Sequence, residues 1–272
     1  MALNSNSNII MAKRIVTKIG NVFCAEIDNE FKCYFQYISN DLYNLNSSVI
    51  RVFKKRYPMD SNPTIDQIIN DEVAFYAHTI LRFGIQFNAW YKIGKSTEIG
   101  EKELKKVYFC QTQDHEAVFN PFPELIWVDP LKNWYLWHVN EEHQRIGKLP
   151  KKYWTIVEPG GVIPYIDIIN RMRYGFYKYA SVMYDVIKRI PLPDVDVYLK
   201  TEEDGIVTYY QFKGSHAVRQ LIVTDGKEIR LTADNPKADG RKLRTADFGD
   251  TNWRNQDFIE KDEFDRAWNE NR

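Results

Sequence analysis

The chain has 272 residues, 44% of them hydrophobic and 27% charged, with 37 Lys plus Arg against 37 Asp plus Glu. That length holds one large domain or two modest ones, with enough apolar residues for a sizeable core. Zero formal charge argues against a dedicated nucleic-acid or membrane-surface binder. Three cysteines are too few for a disulfide scaffold and are expected to be free, buried thiols in a reducing cytoplasm. Residues 1–12 are Asn- and Ser-rich and are expected to be a disordered extension, with Met11 a second candidate start. No apolar run of signal length follows Lys13 and Arg14, so no secretory leader is expected. The most apolar stretch, 73–91, is interrupted by His78, Arg82, Gln86 and Asn88 and reads as core, not as a membrane span.

Taken in order, residues 22–27 and 31–38 read as two strands joined by a tight turn at Asp28-Asn29, a pair that tolerates positive φ. Residues 48–53 are a third strand by β-branched content. Residues 63–82 predict a helix, with Asn62 as N-cap, Pro63 at N1, Ile65, Ile68, Ile69, Val73, Tyr76 and Ile80 at helical spacing, and Gly84 as its stop. Residues 107–165 are aromatic and strand-like. Their strongest runs, 125–128 and 134–139, are expected to flank a hairpin loop at 129–133. Residues 163–190 predict a second helix, ended by Pro191-Leu192-Pro193-Asp194, the best boundary in the chain. Two hairpins follow, turning at 202–205 and 224–227, then a long polar loop at 232–252 and a terminal helix over 258–268 with Phe264 and Trp268 four apart. The fold class is therefore α+β. A β-rich part over 13–190 carries helices near 63–82 and 163–190, and a small antiparallel β part over 194–272 closes with a helix.

Several short patterns suggest chemistry. Residues 89–96 look like a phosphate loop whose first glycine is alanine, but bulky Trp90 and Tyr91 occupy the bend, which favours a surface turn. His138 and His143 bracket a polar cluster that offers metal-ligating types without the spacing of a zinc helix. Cys24, Cys33 or Cys110 would need His78, His115, His138 or His143 to act as a nucleophile, and no nucleophile signature surrounds them. Asp194, with Gln211 and Lys213, resembles the PD-(D/E)xK nuclease pattern: Asp194 the metal carboxylate, Gln211 a weaker ligand, Lys213 the charge stabiliser. Lys54-Lys55-Arg56 and Lys151-Lys152 lie beside Tyr57 and Tyr153, a composition that can hold nucleic acid but is more often a solvated face.

Lys18-x-Gly20-x-Val22-Phe23, the Asp28-Asn29 turn, the aromatic return strand Tyr34-Phe35-Gln36-Tyr37-Ile38 and the strand Val49-Ile50-Arg51-Val52-Phe53 together resemble the immunity protein 26 family of bacterial polymorphic toxin systems. The resemblance covers roughly the first 100 residues and brings no catalytic residues. It implies a cytoplasmic, β-rich, non-enzymatic binding protein that neutralises a cognate toxin by protein contact, with no cofactor. Strand alternation makes Tyr34, Tyr37, Trp134 and Tyr135 the candidate exposed anchors. The alternatives are a metal-dependent nuclease built on Asp194, Gln211 and Lys213, or a phage or structural module.

Overall fold

The structure, a computed structural model, describes residues 16–119, 121–154, 156–178, 189–224 and 226–270. The expected 1–12 extension lies outside the described residues. The protein is a β-rich α+β chain. Its elements in order are β1 (Asn21–Ile27), β2 (Phe31–Asp41), β3 (Ser47–Phe53), β4 (Tyr57–Pro58), α1 (Ile65–Ile69), β5 (Val73–Thr79), α2 (Leu81–Gln86), β6 (Tyr91–Lys95), α3 (Glu101–Leu104), β7 (Tyr108–Thr112), β8 (His115–Phe119), β9 (Pro123–Trp127), β10 (Trp134–Trp137), β11 (Gln144–Gly147), β12 (Val157–Pro159), β13 (Val162–Ile163) and α4 (Tyr165–Tyr174). There follow β14 (Asp196–Glu203), β15 (Ile206–Lys213), β16 (His216–Thr224), β17 (Lys227–Thr232), β18 (Lys237–Ala238), β19 (Arg241–Lys242) and α5 (Lys261–Asn269).

The first sheet runs β13-β5-β3-β2-β1-β6, with β4 added to β2. Asp28 and Asn29 both take positive φ, 53° and 58°, so β1 and β2 form the expected tight hairpin. One face of this sheet carries Phe23, Phe35, Ile50 and Phe75 and is covered by Trp90 and by Ile168 and Met172 of α4. The second sheet, β11-β10-β7-β12, packs Phe109 and Trp137 against Ile38 and Val49 of the first. The third is the meander β14-β15-β16-β17. Phe264 and Trp268 of α5 pack on Leu221 on one side. Val197, Leu199 and Phe212 face Phe248, Trp253 and Phe176 on the other.

Three expected elements differ. The helix expected over 63–82 is one short helix, α1, capped by Thr64 in a capping box with Gln67, not by Asn62. Its remainder is β5, paired with β3 and β13. Phe75 and Ala77 point into one core and Tyr76 into the other, so the two-residue period of a doubly covered strand prevails over apparent helical spacing. Gly84 is no stop: it lies within α2, where a Cβ would stand 2.0 Å from the Trp90 ring. The helix expected over 163–190 ends at Gly175, whose φ of 88° suits a left-handed cap; residues 179–188 lie outside the described residues. Finally, the runs at 125–128 and 134–139 do not pair with each other. β9 pairs with β8, and β10 with β7 and β11, while Asp129 caps a 3-10 turn by accepting from Leu131 N at 3.0 Å.

Candidate partner-binding face

Of the four expected anchors, three are core. Tyr34 is buried edge-on against Tyr57, 5.2 Å between ring centroids. Tyr37 is buried and donates to Asn40 Oδ1 at 2.7 Å. Trp134 is fully buried among Cys110, Leu136 and Val157. Both faces of β2 and β10 are covered by other elements, so alternation there selects between two cores rather than between core and water. Tyr135 alone stays half-exposed.

Tyr135 lines a groove of about 240 Å³ with Tyr43, Asn44, Gln111, Gln113 and His143. One wall is the loop between β2 and β3, where Leu42 and Tyr43 are exposed. That loop is clamped by the turn after β10. Asn140, at φ 62°, accepts from Leu42 N at 2.8 Å and donates to Asn40 O at 2.9 Å. Asn44 donates to Glu141 O at 2.8 Å, and its Oδ1 lies 3.2 Å from His143 Nδ1. His138 instead donates from Nδ1 to Val107 O at 2.7 Å and stacks on Tyr108. The two histidines that suggest metal ligation thus serve different hydrogen bonds, and the polar cluster is a loop clamp. Among the described residues no group of three or more His, Cys, Asp or Glu is arranged to hold a metal ion.

Beside the groove stands a feature that sequence reading missed, the two-stranded ribbon β8–β9. It pairs with no other strand among the described residues, and Phe119, Phe122, Leu125 and Trp127 are all exposed. Its signal in the sequence is the apolar run at 125–128, whose expected partner 134–139 lies in another sheet.

The nuclease-like trio is engaged elsewhere. The Asp194 carboxylate is exposed and 3.8 Å from Arg56 Nη1. Gln211 is buried, and its Oε1 accepts from Arg219 Nε. Lys213 is exposed at the end of β15, opposite Asp196. The oxygens that would meet a cation each face a guanidinium. Residues 89–96, the phosphate-loop-like segment, run into β6, an edge strand on β1. The thiols do not suit nucleophilic chemistry: burial pushes Cys33 and Cys110 up to about 12 and raises Cys24 as well. Ser47, His78 and Asp41 do form a chain, with Ser47 Oγ 3.2 Å from His78 Nδ1 and His78 Nε2 3.7 Å from Asp41 Oδ2. All three are buried, with Phe109 edge-on to the imidazole at 4.3 Å, so no substrate reaches them.

The geometry defines a β-rich α+β protein that carries, among its accessible features, a groove and an apolar ribbon. Over residues 18–117 the chain matches the family model described as Immunity protein 26. The match takes in β1 to β7, the loop that walls the groove and the start of β8, and it bears out the resemblance over the segment that carries it. Comparison with curated proteins and with solved structures gave no match. Among the described residues no helix is long and apolar enough to cross a membrane.

Proposed function

We propose that this chain is a non-enzymatic cytoplasmic protein that binds a cognate toxin and neutralises it by protein–protein contact. The observation that carries this is the match of residues 18–117 to Immunity protein 26. The groove walled by the 42–46 loop supports it, because that loop belongs to the matched segment and holds Tyr43 exposed while Tyr135 and His143 line the opposite side. Rigid, partly exposed aromatics beside hydrogen-bonding groups are what protein interfaces use as anchors. Of the four expected contacts, Tyr135 keeps that role, whereas Tyr34, Tyr37 and Trp134 build the scaffold. On the same proposal the chain has two parts, 13–190 and 194–272.

The test is co-production of the full chain with each secreted-toxin domain of the source organism. One toxin is expected to lose its growth arrest and to co-purify with this chain in fixed stoichiometry. Growth arrest unrelieved for every toxin would overturn the proposal.

A further inference from the structure

We infer that the ribbon β8–β9 is the arm that docks the toxin, and that the toxin surface it meets is apolar and bordered by Lys and Arg. This rests on the toxin-binding proposal above and goes beyond it in naming the contact and its chemistry.

The register divides the ribbon into two faces. His115 pairs with Trp127, Ala117 with Leu125 and Phe119 with Pro123. These six side chains share one face, because alternate residues of a strand point the same way. Glu116 pairs with Ile126 and Val118 with Glu124 on the other face. That second face meets the body at Glu116, which pairs with Arg145 of β11 at 2.7 Å, while Val118 and Ile126 are each 41% exposed. Tyr135 is the register partner of Arg145, so the ribbon is continuous with the groove. The first face is outward and, apart from His115, wholly apolar. Phe119, Leu125 and Trp127 are 74%, 72% and 68% exposed, and Phe122 beside the turn is 78% exposed.

Water disfavours this arrangement, since the uncovered face of a strand pair is ordinarily polar. An isolated two-stranded hairpin is at best marginally stable in water. These four side chains present on the order of 500 Å² of apolar surface, the size of patch that marks an interaction site.

Charge selects the occupant. Residues 107–131 contain Asp114, Glu116, Glu124 and Asp129 and no Lys or Arg. Arg145 neutralises Glu116, and Lys132 neutralises Asp129 at 3.0 Å. Asp114 lies 3.0 Å from His115 Nδ1, and both it and Glu124 border the ribbon without a Lys or Arg partner among the described residues. A second copy of this chain fits poorly. Two outward faces stacked together would bring Asp114 and Glu124 of one copy towards those of the other. A toxin surface with an apolar centre and a basic border satisfies both the ribbon and its rim. The end of β8, the turn and all of β9 lie beyond residue 117, where the family match ends, so the ribbon is suited to setting which toxin this chain accepts.

The test uses the full chain and the toxin domain identified by co-production. Isothermal titration is run at low and high salt on the wild type, on a Phe119→Ser/Trp127→Ser double variant and on Glu124→Lys. Both altered faces are exposed, so the thermal melts should stay unchanged. Expected is a loss of affinity of at least about 100-fold for the double variant. Glu124→Lys and high salt should each weaken binding about fivefold. A double variant that binds as tightly as the wild type would overturn the arm while leaving toxin binding in place. Binding insensitive to both Glu124→Lys and salt would overturn the basic border. A wild type that sediments as a dimer, made monomeric by the double variant, would make a second copy the occupant and overturn the inference. A wild type that binds no toxin removes the functional proposal and this inference with it.

Discussion

His78 shows how burial sets the chemistry of a single residue. Its ring is fully buried, and desolvation pushes its pKa down to about 4, against a smaller upward pull from Asp41. At neutral pH the ring is therefore uncharged, and its contact with Asp41 at 3.7 Å is not an ion pair. Nδ1 faces Ser47, while Nε2 and Asp41 Oδ2 make no hydrogen bond. The sign of the pH effect follows. The unfolded chain takes up a proton near pH 6.5 and the folded chain does not until about 4, so the unfolded state binds more protons between those values. Stability should be complete above about pH 6.5 and fall as pH drops toward 4, by on the order of 2–3 kcal/mol from this residue. Urea denaturation at pH 7.5 and 5.0 measures it, and His78→Gln should flatten the difference. Equal midpoints for the wild type at both pH values would mean that Asp41 compensates the imidazole fully.

At the scale of elements, the turn at 138–143 governs the groove. Its residues look like chemistry in the sequence because histidines and carboxylates are dense there, yet their work is backbone capture across about 100 residues of chain. Asn140 adopts the left-handed region, which asparagine tolerates better than β-branched residues, and it bonds the 40–42 backbone twice. Asn140→Ala should cost about 1–2 kcal/mol from two lost hydrogen bonds and the positive φ. Hydrogen exchange should quicken at 40–46 more than in the first sheet. Unchanged exchange at 40–46 would show that Asn44 and His143 hold the loop unaided. β5 teaches a related lesson. Val73, Tyr76 and Ile80 stand at helical spacing, but Ile80 is exposed and the run alternates between two cores. A strand covered on both faces has no polar side to reveal its period.

Across the whole molecule, the proposed boundary at 191–193 does not coincide with a division between cores. Tyr174 and Phe176, which follow from α4, complete the core of the third sheet, with Phe176 5.1 Å from Phe248 and 6.2 Å from Phe258. Arg56, from just before β4, donates to Met172 O and Arg173 O at the end of α4, where the helix leaves carbonyls unpaired. The two parts should therefore unfold together. Phe176→Ala should cost about 3–5 kcal/mol, and circular dichroism and tryptophan fluorescence should report one coincident transition in denaturant. Two separated transitions in the wild type would mean that the parts fold independently.

Local rules account for what could be read directly. The Asp28-Asn29 turn, the strands around it, the 202–205 hairpin and the Phe264–Trp268 pair each depend on neighbours a few residues away, and each forms as expected. The α+β class follows from the sum of such elements, and the family resemblance from the order of the first three strands. Tertiary structure decided which aromatics are free. Tyr34, Tyr37 and Trp134 differ from Tyr135 only in what distant segments lay over them. It also decided that 123–127 turns back on 115–119 instead of joining β10, which leaves an apolar face in water. Burial is a sum over contacts far apart in sequence, so composition and period set how much apolar surface the chain has, while only the packed fold sets where that surface remains exposed.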